Sequence, residues 1–352
     1  MYLIYLTKMD SQKFIRNFNP INLGCSGIVN LGNTCFMNSS IQCLSATLPL
    51  TRYFLTGKCV EDMNPSKNEF ILCQEYIRTL IGMWEDNCIV SPISLKTKIA
   101  NFHDSYVGFR QNDSHEFFVR LIELLHIGFS YKVDITYTGK PVKEYDLMKI
   151  EALKVWKQYF KNQYSIIISL FYGQFNSTMT CNLCNHVYHS YDPFCTISLP
   201  INDETKTIYD CFDVFSKKEV LDVENKWKCD KCSQYSQAAK KIIIWNAPKI
   251  LIINFKRFDH LNRKNEAFID YPVKGLNINK YVSNSTNAIY NLYAVSAHIG
   301  TVTRGHYIAY SQNANGTWYN YSDRDVEPIN ESDIVNKHAY MLLYRRLDVD
   351  FD

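Results

Sequence analysis

Two things are scarce in this sequence of 352 residues: long apolar runs and net charge. No stretch approaches eighteen consecutive apolar residues, so a membrane-spanning helix is not expected. The opening Met-Tyr-Leu-Ile-Tyr-Leu has no basic segment before it and no cleavage site after it, and reads as neither signal peptide nor anchor. A net charge of +3 is too small to carry nucleic-acid or membrane binding by itself. No repeat at a fixed period is present, which sets solenoids and propellers aside. The expectation is a soluble chain of the nucleus and/or cytoplasm. Its 12 cysteines would there stay reduced and serve as metal ligands, nucleophiles or core.

What is abundant is apolar and aromatic material. A hydrophobic fraction of 46%, with 25 Tyr and 20 Phe, supplies the core of one large elaborated domain or two modest ones. The first ~23 residues show no strong period and read as an extension. Phe70-Ile71, Cys73, Ile77, Leu80-Ile81 and Trp84 recur at helical spacing, and a second helix is expected from about Ser114, with Asp113 as its N-cap. Together they predict a helical lobe over roughly the first 130 residues. A connecting helix is expected around Ile150–Phe160. Beyond it come β-branched and aromatic runs bounded by turn residues. They predict strands at Ile166–Phe171, Phe175–Thr180, Val187–Tyr191, Ile242–Trp245, Ile250–Phe255, Leu292–His298, His306–Tyr310, Thr317–Tyr321 and Tyr340–Tyr344. The architecture implied is α+β: a helical lobe on a β-rich lobe, with a cleft where they meet.

Three groups of residues carry chemistry. Cys35 stands where the turn-prone Asn30, Gly32 and Asn33 give way to an amphipathic pattern at Phe36, Ile41 and Leu44. A cysteine at a helix start lies among unpaired N–H groups at the positive end of the dipole, which favours the thiolate and suits a nucleophile. Taken alone it reads more readily as an inert core thiol. Cys181-x2-Cys184 and Cys229-x2-Cys232, 44 residues apart, offer two knuckles that close one four-cysteine structural zinc site, with no open position for catalysis. Cys59, Cys73 and Cys88 form no such pair, and Cys25, Cys43, Cys195 and Cys211 read as core. The third group is Gly305-His306-Tyr307, followed by a turn at Asn313–Gly316 and then Trp318-Tyr-Asn-Tyr-Ser-Asp323. A histidine beginning a strand, with Ser322 and Asp323 on the next strand of the hairpin, suits the base of a cysteine hydrolase; His298 is the competing base. Separately, residues 226–264 hold ten Lys and Arg against Asp230 and Asp259, by default a solvated basic face and otherwise a surface for an acidic partner.

The order of these motifs resembles the ubiquitin-specific proteases, papain-like cysteine peptidases. Gly27 to Ser39 is similar to that family's cysteine box, and Gly305-His306-Tyr307 with Trp318 to Asp323 to its histidine box. Gln111-Asn-Asp-Ser-His-Glu-Phe117, Asp192-Pro-Phe194, Ser198-Leu-Pro200, the four paired cysteines and Phe255-Lys-Arg-Phe258 fall between them in family order. The resemblance covers about residues 24–346, leaving 1–23 as extension and 347–352 as tail. It implies a papain-like fold with a helical thumb, a β-rich palm and zinc-bearing fingers at about 172–242 that grip ubiquitin. It further implies Cys35 as nucleophile, His306 as base and then acid, and Asn30 in the oxyanion hole. Gln111 and an acidic Asp113 would line the channel for ubiquitin's arginine-bearing tail, and Gly305 and Tyr307 would flank its Gly-Gly end. The family's usual Asp or Asn third member is replaced here by Ser322, expected to accept from His306 Nδ1–H, with Asp323 assisting. No small-molecule cofactor is expected.

Lys256-Arg-Phe-Asp-His260, Gly300 to Tyr310 and Thr180-Cys-Asn-Leu-Cys184 are most similar to the deubiquitinase of the SAGA coactivator. That likeness implies a SAGA-like module and a ubiquitinated nucleosome as partners. The ~23 residues before the domain are too few for that subfamily's N-terminal zinc domain, and its extra zinc cluster in the helical lobe is reduced to Cys59, Cys73 and Cys88. The alternatives are a catalytically silent ubiquitin-binding scaffold, a protease for another ubiquitin-like modifier, and a zinc-ribbon nucleic-acid binder.

Overall fold

The computed structural model describes residues 21, 23–134, 136, 140–222, 224, 226–259, 261, 263–283, 287–302 and 304–348. Most of the expected N-terminal extension and the last four residues of the expected tail lie outside them. Eight helices are found among the described residues: α1 (Cys35–Ser45), α2 (Leu48–Leu55), α3 (Phe70–Glu85), α4 (Ile93–Ala100), α5 (Ser114–Phe129), α6 (Glu144–Phe160), α7 (Ile166–Phe171) and α8 (Ile208–Phe215). The strands that build the two main sheets are β1 (Gly173–Cys181), β2 (Val187–Phe194), β3 (Ile197–Leu199), β4 (Glu219–Val220), β5 (Ala238–Asn246), β6 (Ile250–Phe255), β7 (Ile289–Gly300), β8 (Gly305–Gln312), β9 (Trp318–Ser322), β10 (Asp325–Ile329) and β11 (Ala339–Arg346). No helix among the described residues is long and apolar enough to cross a membrane.

The helical lobe is built around α1. The expected one-sided pattern is not what the structure has: all eleven of its residues are buried. Phe36, Met37, Ile41 and Leu44 enter the apolar core, while most of its polar side-chain atoms find buried partners. Ser40 Oγ donates to the Ser114 carbonyl at 2.9 Å, Gln42 Nε2 to the Ser26 carbonyl at 2.7 Å, and Trp84 Nε1 to Ser45 Oγ at 2.8 Å. Asp113 caps α5 through its Oδ1, which accepts from the N–H groups of His115 at 2.7 Å and Glu116 at 3.0 Å.

The large sheet has eight strands in the order β10-β9-β8-β7-β11-β6-β3, with Leu276–Asn277 pairing β7 off that path. Successive side chains of a strand point to opposite faces, so the sheet serves two cores. Ile250 and Ile252 of β6, with Met341 and Leu343 of β11, pack on the helical lobe. Leu251, Ile253 and Phe255, with Leu342 and Tyr344, pack with α8 on the other side. A four-stranded sheet, β2-β1-β5-β4, projects from it as the fingers, and α6 lies on the fingers through Ala152 against Tyr191 and Trp245.

One expected strand is a helix. Ile166–Phe171 forms α7, capped by Ser165 Oγ accepting from the Ile168 N–H. A short, mostly apolar run buried on several sides has no period to separate strand from helix, and the cap decides it. The connecting helix α6 begins six residues before Ile150, where Asp146 Oδ2 accepts from the N–H groups of Val142 and Lys143, both at 3.0 Å. Helices α2, α4 and α8 were not expected from the sequence at all.

Candidate active site

The turn entering α1 is organised by Asn30. Its Oδ1 accepts from the N–H groups of Gly32 at 3.0 Å and Thr34 at 3.1 Å, and Thr34 Oγ1 accepts from the Leu31 N–H at 2.8 Å. Gly32 and Asn33 take φ of 97° and 56°, the left-handed region that glycine and asparagine tolerate. No side chain caps α1, which leaves its first turn to meet an anion in the cleft. Cys35 is 5% exposed, and burial raises its pKa. The Tyr307, Phe36 and Cys35 N–H groups bond the sulfur and oppose the rise, and the charge of Asp323 adds to it. Burial thus works against the helix start and holds the thiol pKa above its usual value.

Helix α1 packs on β8, so the strand carrying His306 runs past the sulfur, with the neighbouring Tyr307 N–H bonded to it. His306 Nε2 lies 3.0 Å from Ser322 Oγ on β9. This corrects the expected Nδ1 contact. A serine oxygen accepting from Nε2–H leaves Nδ1 as the bare nitrogen, the one able to take a thiol proton. Asp323 does something else. Its Oδ2 accepts from Asn30 Nδ2 at 2.9 Å, its Oδ1 from Asn38 Nδ2 at 2.7 Å and its carbonyl from the Ile28 N–H at 2.7 Å. It fastens the β9–β10 turn to the entry of α1, and it takes one of the two amide N–H groups of Asn30, the residue that the resemblance places in an oxyanion hole. Asn38, absent from the expected site, is thereby part of this network.

A cleft of about 240 Å³ opens beside Cys35, lined by Phe36, Gln111, Asp113, Phe258, His298, Gly305 and Tyr307. Gln111 Nε2 reaches the Gly305 carbonyl at 3.5 Å. Asp113 is not a free acid at its wall: besides capping α5, its Oδ2 accepts from the hydroxyls of Tyr307 and Tyr340. The competing base, His298, is buried, and that burial, with Lys264, His338 and His306 nearby, pushes its pKa down to about 4. Its ring packs edge-on against Phe258 and fills the space beside Gly305, where an added Cβ would sit 2.1 Å from Nε2. The first need for a glycine at 305 is thus an internal neighbour.

At the finger tips two identical knuckles face each other. Cys181 accepts from Asn185 and donates to the His186 carbonyl through its backbone, and Cys229 does the same with Ser233 and Gln234. Asn185 and Ser233 have φ of 56° and 59°. The four sulfurs lie within 4.8 Å of one another, with Cys181–Cys232 at 3.9 Å and Cys184–Cys229 at 3.6 Å. Those separations are far beyond a disulfide and match the edge of a tetrahedron, about 3.8 Å, around an ion bound at about 2.3 Å. No other such group occurs among the described residues. Cys59 and Cys73 are buried in the helical core and Cys88 is exposed.

A cysteine on an uncapped helix start, a histidine–serine pair on the facing strands and a four-cysteine clasp together define a cysteine-hydrolase-like centre in a two-lobed fold with fingers. The chain belongs to the ubiquitin carboxyl-terminal hydrolase family, whose model matches residues 26–344. It is 35% identical to human ubiquitin carboxyl-terminal hydrolase 2 over 333 residues, covering 91% of this chain and 55% of that protein. It is 34% identical to the chicken counterpart, covering 91% and 93%. The chain spans about half the length of the first mammalian relatives it matches. Among solved structures it resembles the SAGA deubiquitinating module containing Ubp8 bound to monoubiquitin, with TM-score 0.75, 26% identity, and coverage of 99% of this chain and 75% of that one.

Proposed function

We propose that this protein is a deubiquitinase that hydrolyses the peptide or isopeptide bond after the C-terminal glycine of ubiquitin. The observation that carries the reading is the Cys35 sulfur bonded by the N–H of Tyr307, the residue that follows a His306 whose Nε2 is held by Ser322. His306 Nδ1 takes the thiol proton as Cys35 attacks the carbonyl carbon, and returns it to the departing amine. Water, giving a proton to the same nitrogen, then attacks the thioester carbonyl; the C–S bond breaks, the carboxylate leaves and the proton returns to the Cys35 sulfur. N–H groups at the start of α1 receive the oxyanion; Asn30 shapes the turn that aims them, and the amide N–H it does not give to Asp323 is free to join them. Gln111, Gly305 and Tyr307 guide the tail. Asp113 serves as a strut for that wall, since its oxygens are already taken.

The four finger cysteines hold one structural Zn2+, supported by their sulfur spacing, and the fingers grip the body of ubiquitin. We further propose a nuclear, histone-directed role beside SAGA-like partners, supported by the likeness to the Ubp8 module. The exposed Lys226, Lys228, Lys231 and Lys241 would offer the fingers to an acidic surface; Arg257, in the same basic run, is buried and belongs to the fold.

A ubiquitin C-terminal electrophilic probe tests the main reading. One covalent adduct is expected with the intact protein and none with Cys35→Ala, alongside one zinc per chain by elemental analysis. No adduct on the intact protein would make it a ubiquitin-binding scaffold. Cleavage of ubiquitinated nucleosomes no faster than of a di-ubiquitin would remove the histone proposal.

A further inference from the structure

We propose that Lys264 is a positioning residue that locks the wall of the cleft to the strand end preceding His306. The inference rests on the deubiquitinase reading for its kinetic readout only. Lys264 is paired across a single antiparallel bridge with Phe258, a residue of the cleft wall. Its side chain is only 5% exposed, and its ammonium donates to the carbonyls of His298 at 2.8 Å and Gly300 at 2.9 Å. The only carboxylate near the ammonium among the described residues is Glu266, 3.8 Å away and 55% exposed. A largely buried cation satisfied mainly by two carbonyls is expensive to place, and it stays only where those carbonyls are fixed in return.

The two carbonyls belong to the last turns of β7 before it folds back. Gly300 pairs with Gly305 and Ile299 with His306, so holding 298 and 300 sets where β8 begins. The same contact holds the His298 backbone while its ring presses on Phe258 on one side and Gly305 on the other. Lys264, Phe258, His298, Gly305 and His306 form one continuous run of contacts. Loss of the ammonium would leave two carbonyls unpaired and let the start of β8 drift from Cys35, while α1 stays in place.

Lys264→Met keeps the stem and removes the charge; Lys264→Arg keeps a donor. With a fluorogenic ubiquitin C-terminal amide, Lys264→Met is expected to lower kcat at least about tenfold with KM within about threefold, and Lys264→Arg to recover part of the loss. Amide hydrogen exchange should rise at Ile299–Tyr307 and stay unchanged in α1. A kcat/KM within about twofold of the parent, or a loss that simply follows a general rise in exchange across both regions, overturns the assignment. If the parent protein does not process ubiquitin, the exchange experiment still decides. Selective loosening of Ile299–Tyr307 upholds the lock and its absence ends it, while the deubiquitinase reading fails separately.

Discussion

The two sides of the cleft are held by different forces. Cys35 begins a helix buried along its whole length, fixed by packing on the helical lobe and by polar contacts to Ser26, Asp323 and Ser114. His306 lies one residue from the start of a strand, half-buried, with one hydroxyl on its far nitrogen. The nucleophile is positioned by many contacts, none individually decisive, and the base by a few that each matter. Damage on the first side should therefore register as lost stability, and damage on the second as lost turnover in a protein that is still folded.

Leu44→Ala should have the largest effect of any change considered on either side. Leu44 is fully buried in the helical core, and the cavity should cost about 3 kcal/mol in urea-induced unfolding. The fraction that remains folded should keep kcat within about twofold. A selective loss of kcat with an unchanged unfolding midpoint would break the comparison. Gly305→Ala falls between the two behaviours. Its Cβ would meet His298 Nε2 at 2.1 Å and the Thr301 carbonyl at 2.8 Å, and the overpacking should cost about 2 kcal/mol. Because the displaced strand carries His306, kcat/KM should also fall more than about tenfold. A variant with normal stability and activity would mean that the His298 wedge is loose.

How much of this could be read from the chain depends on the distance over which each contact acts. Asp113 as a helix cap and the two cysteine knuckles are local, and residue spacing was enough to find them. The β-rich half was legible run by run, since alternation and turn residues bound each strand, but the order β10-β9-β8-β7-β11-β6-β3 depends on pairings between distant strands that no local pattern encodes. The same limit hid the site's support. Asn38 and Asp323 are 285 positions apart, and Tyr340 and Asp113 are 227 apart. The tyrosine hydroxyls that brace Asp113 at the cleft wall were hidden for that reason. The burial that opposes the helix start at Cys35 could not be read, because helix position is visible in sequence and burial is not.

Ser322→Ala sharpens the comparison from the base side. The hydroxyl is the partner seen on His306 Nε2, and losing one such bond should lower kcat about tenfold, equivalent to about 1.4 kcal/mol. Ser322 is half-buried and its loss leaves no cavity of consequence, so the unfolding midpoint should not move. Ser322→Asn, which keeps an acceptor, should lose less. A fall in stability matching the fall in kcat would place Ser322 in the same class as Leu44.

The smallest effect, and the most informative in sign, belongs to Asp323→Asn. Burial holds the Cys35 thiol above its usual pKa, the Asp323 charge pushes the same way, and the Tyr307, Phe36 and Cys35 N–H groups pull against both. Removing that charge lowers the thiol pKa, so the thiolate fraction at a given pH rises. The midpoint of iodoacetamide alkylation should shift to lower pH. Turnover should move the other way. Asp323 gives one oxygen to Asn30 and the other to Asn38, and Asn puts an NH2 in place of one of them, so the entry of α1 loosens where the oxyanion must be met. Opposite movements would separate the electrostatic action of Asp323 on the sulfur from its mechanical action on the turn. An alkylation midpoint that stays put or rises would mean that burial alone sets the state of Cys35, and that Asp323 acts only as a fastening between the two sides of the cleft.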